Sequence, residues 1–277
     1  MEQCEIIAVA NQKGGVGKTT TTFNLGVALA RQGKKILLVD FDPQGDLTTY
    51  MGWHNNDDIN NTISSLMLGV NQKKEINPSD FILNHEEGVD LIPSNIELAS
   101  LEVNLVEIIG RERMLANALK LYKDNYDFIL IDCMPSLGFL TINALGCADK
   151  VIIPVQPHFL AAKGMNQLMS TMLQVRDNIN DNLKVGGILI TMADNRTNLS
   201  RNITQQIKDT YGITFKVFKV QIPRAIKTAE STSTGESVLT YDKYGKVSQA
   251  FSDLAKEVLG NDEQIQSRHS KTDVLSR

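Results

Sequence analysis

The 277-residue sequence predicts an α/β protein: one doubly wound, mostly parallel sheet with helices on both faces. Three observations predict it. Short apolar runs recur along the chain, helical patterns separate most of them, and the runs are hydrophobic throughout rather than at alternate positions. A strand without alternation is buried on both faces, and parallel strands need crossover connections, which supply the covering helices. Composition agrees. Hydrophobic residues make up 42%, with 28 basic and 32 acidic side chains and a net charge of −4, and a chain of this length buries a sizeable core without covalent staples.

The strand-like runs are residues 6–10, 36–39, 89–92, 128–131, 151–155, 185–191 and 215–222. Apolar residues spaced by three and four mark helices at 19–32, 95–106, 111–123, 161–179, 199–211 and 244–259. No internal repeat is present. The polar, Asn-rich breaks at 54–62 and 71–80 are too short for interdomain linkers, so residues 1–260 are read as one domain. Residues 261–277 carry few apolar side chains, no periodicity and no net charge, and are expected to form a flexible polar tail. No stretch approaches the roughly 20 uncharged apolar residues of a membrane helix, and residues 1–10 lack the basic start and apolar core of a signal peptide. A cytoplasmic location is expected. Cys4, Cys133 and Cys147 form no CxxC pair, which argues for packing roles rather than zinc or a disulfide framework. His54, His85, His158 and His269 are scattered without ligand spacing and, like Trp53 and the methionines, are read as surface or core residues.

Directly after the first strand come Asn11-Gln12-Lys13-Gly14-Gly15-Val16-Gly17-Lys18-Thr19-Thr20 and then a helix. Glycines let successive backbone N–H groups converge on an anion, and the helix N-terminus adds the positive end of its dipole. Lys18 is placed to reach the outer phosphates of a nucleoside triphosphate, and the Thr19 hydroxyl to ligate Mg²⁺. An ordinary tight turn explains one or two glycines but not Gly-Lys-Thr-Thr at a helix start. A dinucleotide fingerprint starting at Gly15 needs glycine where Thr20 stands, so hydride chemistry is not expected. The strict triphosphate-loop pattern would place its first glycine at Gln12. Instead, the loop carries a second lysine, Lys13.

The stretch from Lys13 to Thr20, KGGVGKTT, closely resembles the deviant Walker A motif of the ParA/MinD group of ATPases. Val39-Asp40-Phe41-Asp42-Pro43-Gln44-Gly45 is similar to the group's second nucleotide motif, and Ile129-Leu130-Ile131-Asp132 to its Walker B strand. Leu137-Gly138, Thr141-Ile142-Asn143-Ala144-Leu145, Val151-Ile152-Ile153-Pro154-Val155-Gln156, Thr191-Met192, Arg196-Thr197-Asn198-Leu199 and Ile222-Pro223-Arg224 resemble, in order, segments of ParA/Soj chromosome- and plasmid-partition proteins. Met134 departs from the pattern, which has proline there.

The resemblance implies a P-loop ATPase of weak intrinsic activity, with ATP and Mg²⁺ held by Lys13, Gly14, Gly15, Val16, Gly17, Lys18, Thr19 and Thr20. Asp42, just past a buried strand at the ligand-facing edge of a parallel sheet, is implied to position the attacking water, with Asp40 supporting it. A lone helix cap would explain either acid, though less well the pair spaced by one residue. Asp132 is implied to hold Mg²⁺ through water. Lys13 is implied to reach across a dimer interface to the partner's phosphates, so that ATP is sandwiched between two subunits. Gly14 would then lie where the two backbones approach. Pro223 and Arg224 match the place where the family's chain passes the adenine; Ala225 replaces a residue that is often Asn.

Overall acidity argues against a nucleic-acid partner until charge is mapped locally. Residues 195–229 hold Arg196, Arg201, Lys208, Lys216, Lys219, Arg224 and Lys227 against Asp209 alone, an excess of six. A solvated basic helix face would account for Lys208 and Arg201. Arg196 and Lys227 coincide with positions that bind DNA in similar partition proteins, and Arg201 stands with them as a candidate. No aromatic interleaving accompanies them, so non-specific phosphate contacts to double-stranded DNA and a nucleoid-associated location are expected. The resemblance further implies an ATP-dependent homodimer and a ParB-like centromere-binding protein that stimulates hydrolysis. The first strand begins about five residues in, so no additional DNA-binding domain, and no self-repression, is expected. The alternative is a MinD-like membrane-associated positioning ATPase, which would need a basic amphipathic helix that residues 261–277 do not offer. A metallocluster ATPase such as the nitrogenase iron protein would need a cysteine pattern that Cys133 and Cys147 lack.

Overall fold

The computed structural model describes residues 4–105, 108–158, 161–194 and 196–274. Strands β1 (Glu5–Val9), β2 (Ile36–Phe41), β3 (Leu83–His85), β4 (Val89–Ile92), β5 (Phe128–Cys133), β6 (Lys150–Val155), β7 (Lys184–Ala193) and β8 (Val217–Pro223) form one sheet in the order β3-β4-β2-β5-β1-β6-β7-β8. Every pairing is parallel except that of β3 with β4. Every residue of β2 and β5 is buried, as their unbroken apolar runs require.

Helices α1 (Lys18–Ala30), α2 (Asp46–Tyr50), α3 (Ile63–Asn71), α4 (Glu97–Asn104), α5 (Met114–Leu119), α6 (Phe139–Cys147), α7 (Ala161–Asn178), α8 (Asn198–Tyr211), α9 (Ile226–Thr234), α10 (Val238–Tyr241) and α11 (Lys246–Val274) cover both faces. Successive strand residues alternate between two cores. Ile6 and Ala8 pack with Leu66, Leu115, Leu145 and Leu168. Ile7 joins Leu25, Leu29, Phe251 and Leu254 on the other side. Because β1 lies between β5 and β6, the chain leaves its carboxyl end at the reversal of strand order, where a parallel sheet opens a crevice for ligands.

The structure departs from the sequence pattern at several short elements and at the last helix. Strand β3 was not anticipated: it has three residues, none of them buried, and folds back on β4 through a turn in which Gly88 takes φ 77°. Helix α3 begins with a reciprocal cap, in which the Thr62 hydroxyl accepts from the N3 backbone and Ser65 Oγ accepts from the Thr62 N–H. The helix expected over 111–123 is a 3₁₀ turn at Arg111–Arg113 followed by the short α5. That expected over 95–106 ends at Asn104, and Val106 lies outside the described residues. Helix α11 runs past Gly260 to Val274, where a polar tail was expected. A glycine weakens a helix interior by about 1 kcal/mol without ending it, and no proline follows. Residues 275–277 of that segment lie outside the described ones.

Candidate active site

The loop from Asn11 to Gly17 joins the end of β1 to α1. Gly15 (φ 70°) and Gly17 (φ 85°) take left-handed conformations that strain any other residue, and Gly17 caps α1 without a side chain, leaving the first-turn N–H groups open to an anion. Both loop ends are fastened to distant strands. At the start, buried Asn11 donates through Nδ2 to the Pro154 carbonyl (2.7 Å) and accepts the Lys13 N–H on Oδ1 (3.0 Å). At the end, Thr191 Oγ1 donates to the Val16 carbonyl at 2.8 Å. Lys18 is buried and folds back to donate to the Lys13 carbonyl (3.4 Å). Burial lowers its pKa against the opposing pull of Asp132.

Three carboxylates stand at neighbouring strand ends. Asp132 closes in from β5, buried, with the Thr19 hydroxyl hydrogen-bonded to it and Thr22 Oγ1 donating at 3.4 Å. Burial, then the nearby Asp40 charge, pushes its pKa well up. Asp40 is fully buried in β2 and accepts from the Thr48 N–H (2.8 Å) and Thr48 hydroxyl (2.7 Å); that hydroxyl in turn accepts the Ser94 N–H (3.1 Å). Burial pushes Asp40 up to about 7. It therefore anchors α2 and the segment after β4 rather than reaching a ligand. Asp42 lies beyond the strand end, accepts the Gln44 N–H (3.0 Å) on its carboxylate, and is also shifted upward by burial. Among the described residues no group of three or more His, Cys, Asp or Glu side chains could hold a metal ion. The donor set suits Mg²⁺, which keeps several waters and takes one or two protein oxygens plus phosphate.

Beside Gly17 and Thr20 opens a pocket of about 410 Å³ whose far wall includes Met192, Pro223, Arg224 and Thr228. Its floor exists because the ends of β7 and β8 pair, Ala193 opposite Pro223. The expected adenine segment thus faces the phosphate loop, with room for a base between them. Met192 takes φ 50° there, a strained conformation for a residue other than glycine.

A family model described as an AAA domain matches residues 4–185. The sporulation initiation inhibitor protein Soj of Bacillus subtilis is 42% identical over 257 residues, covering 93% of this chain and 99% of that protein. The chromosome partitioning protein ParA of Caulobacter vibrioides is 38% identical over 266 residues, 95% of this chain and 97% of its own length. A solved structure named as cobyrinic acid a,c-diamide synthase from Mycobacterium smegmatis, with a bound ATP analogue and magnesium, superposes with a TM-score of 0.74 at 38% identity, over 88% of this chain and 97% of that one. The chain belongs to the Soj/ParA family of ATPases. ATP and Mg²⁺ are the ligands of this Soj/ParA ATPase, and no described helix is long and apolar enough to cross a membrane.

The cations singled out in this Soj/ParA chain emerge from the same sheet edge. Arg196, Arg201 and Lys227 are exposed, but each already has a partner. Arg196 makes two bonds to Asp194 (2.9 and 3.0 Å), Arg201 donates to Asn198 Oδ1, and Lys227 Nζ lies 2.9 Å from Glu230. Asp194 and Glu230 flank the window 195–229 by one residue on either side, so the local basic excess of six falls to four once they are counted. Residues the sequence left without a role are Asn11, Thr48 and Thr228; Thr191 and Met192 were noted only as part of a resemblance. Asn11 and Thr191 bond residues 143 and 175 positions away, and Thr48 links Asp40 to Ser94, relationships that no local spacing announces.

Proposed function

We propose that the chain is a chromosome- or plasmid-partition ATPase whose ATP-bound dimer binds double-stranded DNA without sequence preference and whose hydrolysis, stimulated by a ParB-like partner, releases it. One observation carries the reading. The residues that line the nucleotide pocket, Thr191–Met192 and Pro223–Arg224, continue within four residues into the exposed cations Arg196 and Lys227. A change in the pocket is therefore a change in the backbone that presents the cations.

The loop N–H groups and Lys18 bind the phosphates, and the Thr19 hydroxyl, with Asp132 through water, would hold Mg²⁺, which would neutralise phosphate charge as it develops. Asp42, just past the end of β2, orients the attacking water; Asp40 keeps its loop in place through Thr48. Lys13 is half-buried, and among the described residues its ammonium has no hydrogen-bond or ion-pair partner, which suits a charge that completes a partner subunit's site. Gly14 supports the same reading. Its φ is not positive, and an added Cβ would come no nearer than 3.9 Å to Pro135, so the single chain does not require glycine there, whereas a close subunit approach would.

The Mycobacterium smegmatis relative's name points to amide transfer, which from glutamine runs through an accessible thiolate. Here burial pushes Cys4 up to about 11 and Cys147 up to about 12, and raises Cys133 well above the usual thiol value. The partition reading is preferred on that ground. Its test is sedimentation equilibrium and duplex binding with saturating Mg-ATP. Wild type should dimerise and bind duplex, Lys18→Ala should lose ATP binding, and Asp42→Ala should bind ATP, accumulate as dimer and hydrolyse about 100-fold more slowly. A wild type that stays monomeric with ATP, or an Asp42→Ala chain with full turnover, overturns it.

A further inference from the structure

Two aliphatic side chains stand in water among the cations. Leu199, the second residue of α8, is 67% exposed, and Ile226, the first of α9, is 79% exposed. Each is bracketed by positive charge: Leu199 by Arg196 and Arg201, Ile226 by Arg224 and Lys227. The fold brings the two segments to one edge. Ala193 pairs with Pro223, the Arg224 N–H donates to the Ala193 carbonyl (3.3 Å), and the Asp194 N–H donates to Ser200 Oγ (3.3 Å), which draws the first turn of α8 onto the same strand end.

Neither side chain serves the interior. Helix α8 packs through Ser200, Ile203, Thr204, Ile207 and Tyr211, and α9 buries Ser231. A purely electrostatic phosphate surface has no use for exposed aliphatic groups, whose contact with water is unfavourable. A lipid surface would need a continuous apolar face, yet the other exposed positions of α8 include Asn202, Gln205, Gln206 and Asp209. Isolated aliphatic side chains between arginines and lysines match minor-groove binding, in which apolar groups press on sugar and base edges while the cations hold the flanking phosphates.

We infer that Leu199 and Ile226 enter the minor groove of duplex DNA, so that this edge holds the duplex by aliphatic contact as well as by charge. The inference rests on the DNA-binding reading above and deepens it. Aliphatic entry is easiest at flexible pyrimidine–purine steps, so the otherwise unspecific binding carries a modest preference for A·T-rich duplex with TA steps.

The experiment titrates the full chain with Mg-ATP against short fluorescent duplexes, comparing wild type with Leu199→Ser/Ile226→Ser. Both positions are exposed, so the double variant should fold. It should bind duplex about ten-fold more weakly with an unchanged salt dependence, because no phosphate contact is lost. The several-fold preference of wild type for TA-rich over G·C duplex should disappear. Wild-type affinity in the double variant overturns the inference, as does loss of its ATP-dependent dimer in ultracentrifugation, which would make these side chains subunit contacts. Wild type sedimenting with anionic vesicles through these two residues, at unchanged duplex affinity, overturns it in favour of lipid. If wild type binds no duplex at all, the DNA reading falls and takes this inference with it; duplex binding that ignores the double substitution removes the inference alone.

Discussion

The Thr191 hydroxyl donates to the Val16 carbonyl at 2.8 Å, joining residues 175 apart and fastening the last turn of the phosphate loop to the end of β7. Both residues are buried. The strand that supplies this donor also lines the pocket beside Gly17 with Met192 and then delivers Asp194 and Arg196 to the surface.

Replacing Thr191 by valine keeps the volume and leaves the Val16 carbonyl without a partner. An unsatisfied buried acceptor costs about 1–3 kcal/mol. Because the loop is ordered chiefly to bind phosphates, part of that cost should fall on the nucleotide complex. Titration calorimetry should show Thr191→Val binding Mg-ATP roughly ten-fold more weakly. Unchanged affinity would mean that the loop holds its shape without this bond.

Gly14 allows the proposed subunit contact to be separated from nucleotide binding. An added side chain meets nothing closer than Pro135 Cβ at 3.9 Å and needs no left-handed backbone, in contrast to Gly15 and Gly17. Gly14→Val should therefore bind ATP within a few-fold of wild type and yet stay monomeric in ultracentrifugation with Mg-ATP. A Gly14→Val dimer would remove Gly14 from the interface.

Asp40 makes stability depend on pH in a direction opposite to that of a salt-bridged acid. Unfolded, it ionises near 3.9; in the fold, burial pushes it up to about 7. Between those values the folded chain retains a proton that the unfolded chain has released. Its contribution is thus fully present below pH 4 and is lost as pH rises through 7, a loss of roughly 4 kcal/mol. Asn at this position keeps an acceptor for Thr48 and removes the titration. Urea unfolding without metal or nucleotide should show wild type weakening from pH 4.5 to 7.5 and Asp40→Asn weakening much less. Parallel profiles would show that Asp40 is ionised in the fold. Asp42 and Asp132, also shifted upward by burial, should leave a residual slope of the same sign.

What was legible in the sequence follows from how locally each feature is encoded. The loop from Lys13 to Thr20 is readable because phosphate binding needs particular residue types at adjacent positions, and Asp42 and Asp132 because they end runs of buried apolar residues. The strand list was readable for the same reason, apart from β3, whose three residues bury nothing completely. Helix α9, with the sequence IKTAESTST, has weak intrinsic preference and is held in part by a tertiary bond, Tyr50 OH to Ser231 Oγ at 2.9 Å. Asn11 looks like an ordinary polar loop residue until Pro154, 143 positions away, receives its amide. Met192 shows nothing of its φ in its letter. Asp194 and Glu230 were in plain view, and only their contacts reveal that they neutralise the two cations on which the DNA reading leans.

That neutralisation has a measurable consequence. In the proposed DNA complex Arg196 and Lys227 exchange Asp194 and Glu230 for phosphate oxygens, and exposed ion pairs of this kind are weak enough to exchange. The two carboxylates nonetheless lower the local positive potential and repel the incoming backbone. Asp194→Asn and Glu230→Gln keep the side-chain size and a hydrogen-bond acceptor while removing the charge. With Mg-ATP each should bind duplex DNA several-fold more tightly at low salt, the pair together more so, and the logarithmic salt slope should steepen by about one for each phosphate contact no longer shared with a carboxylate. ATP turnover without DNA should not change, since neither acid lies among the phosphate-loop contacts. Equal affinities across the series would place the DNA contact away from Arg196 and Lys227. Tighter binding that persists without ATP would show the two acids acting as a brake on the nucleotide-free chain.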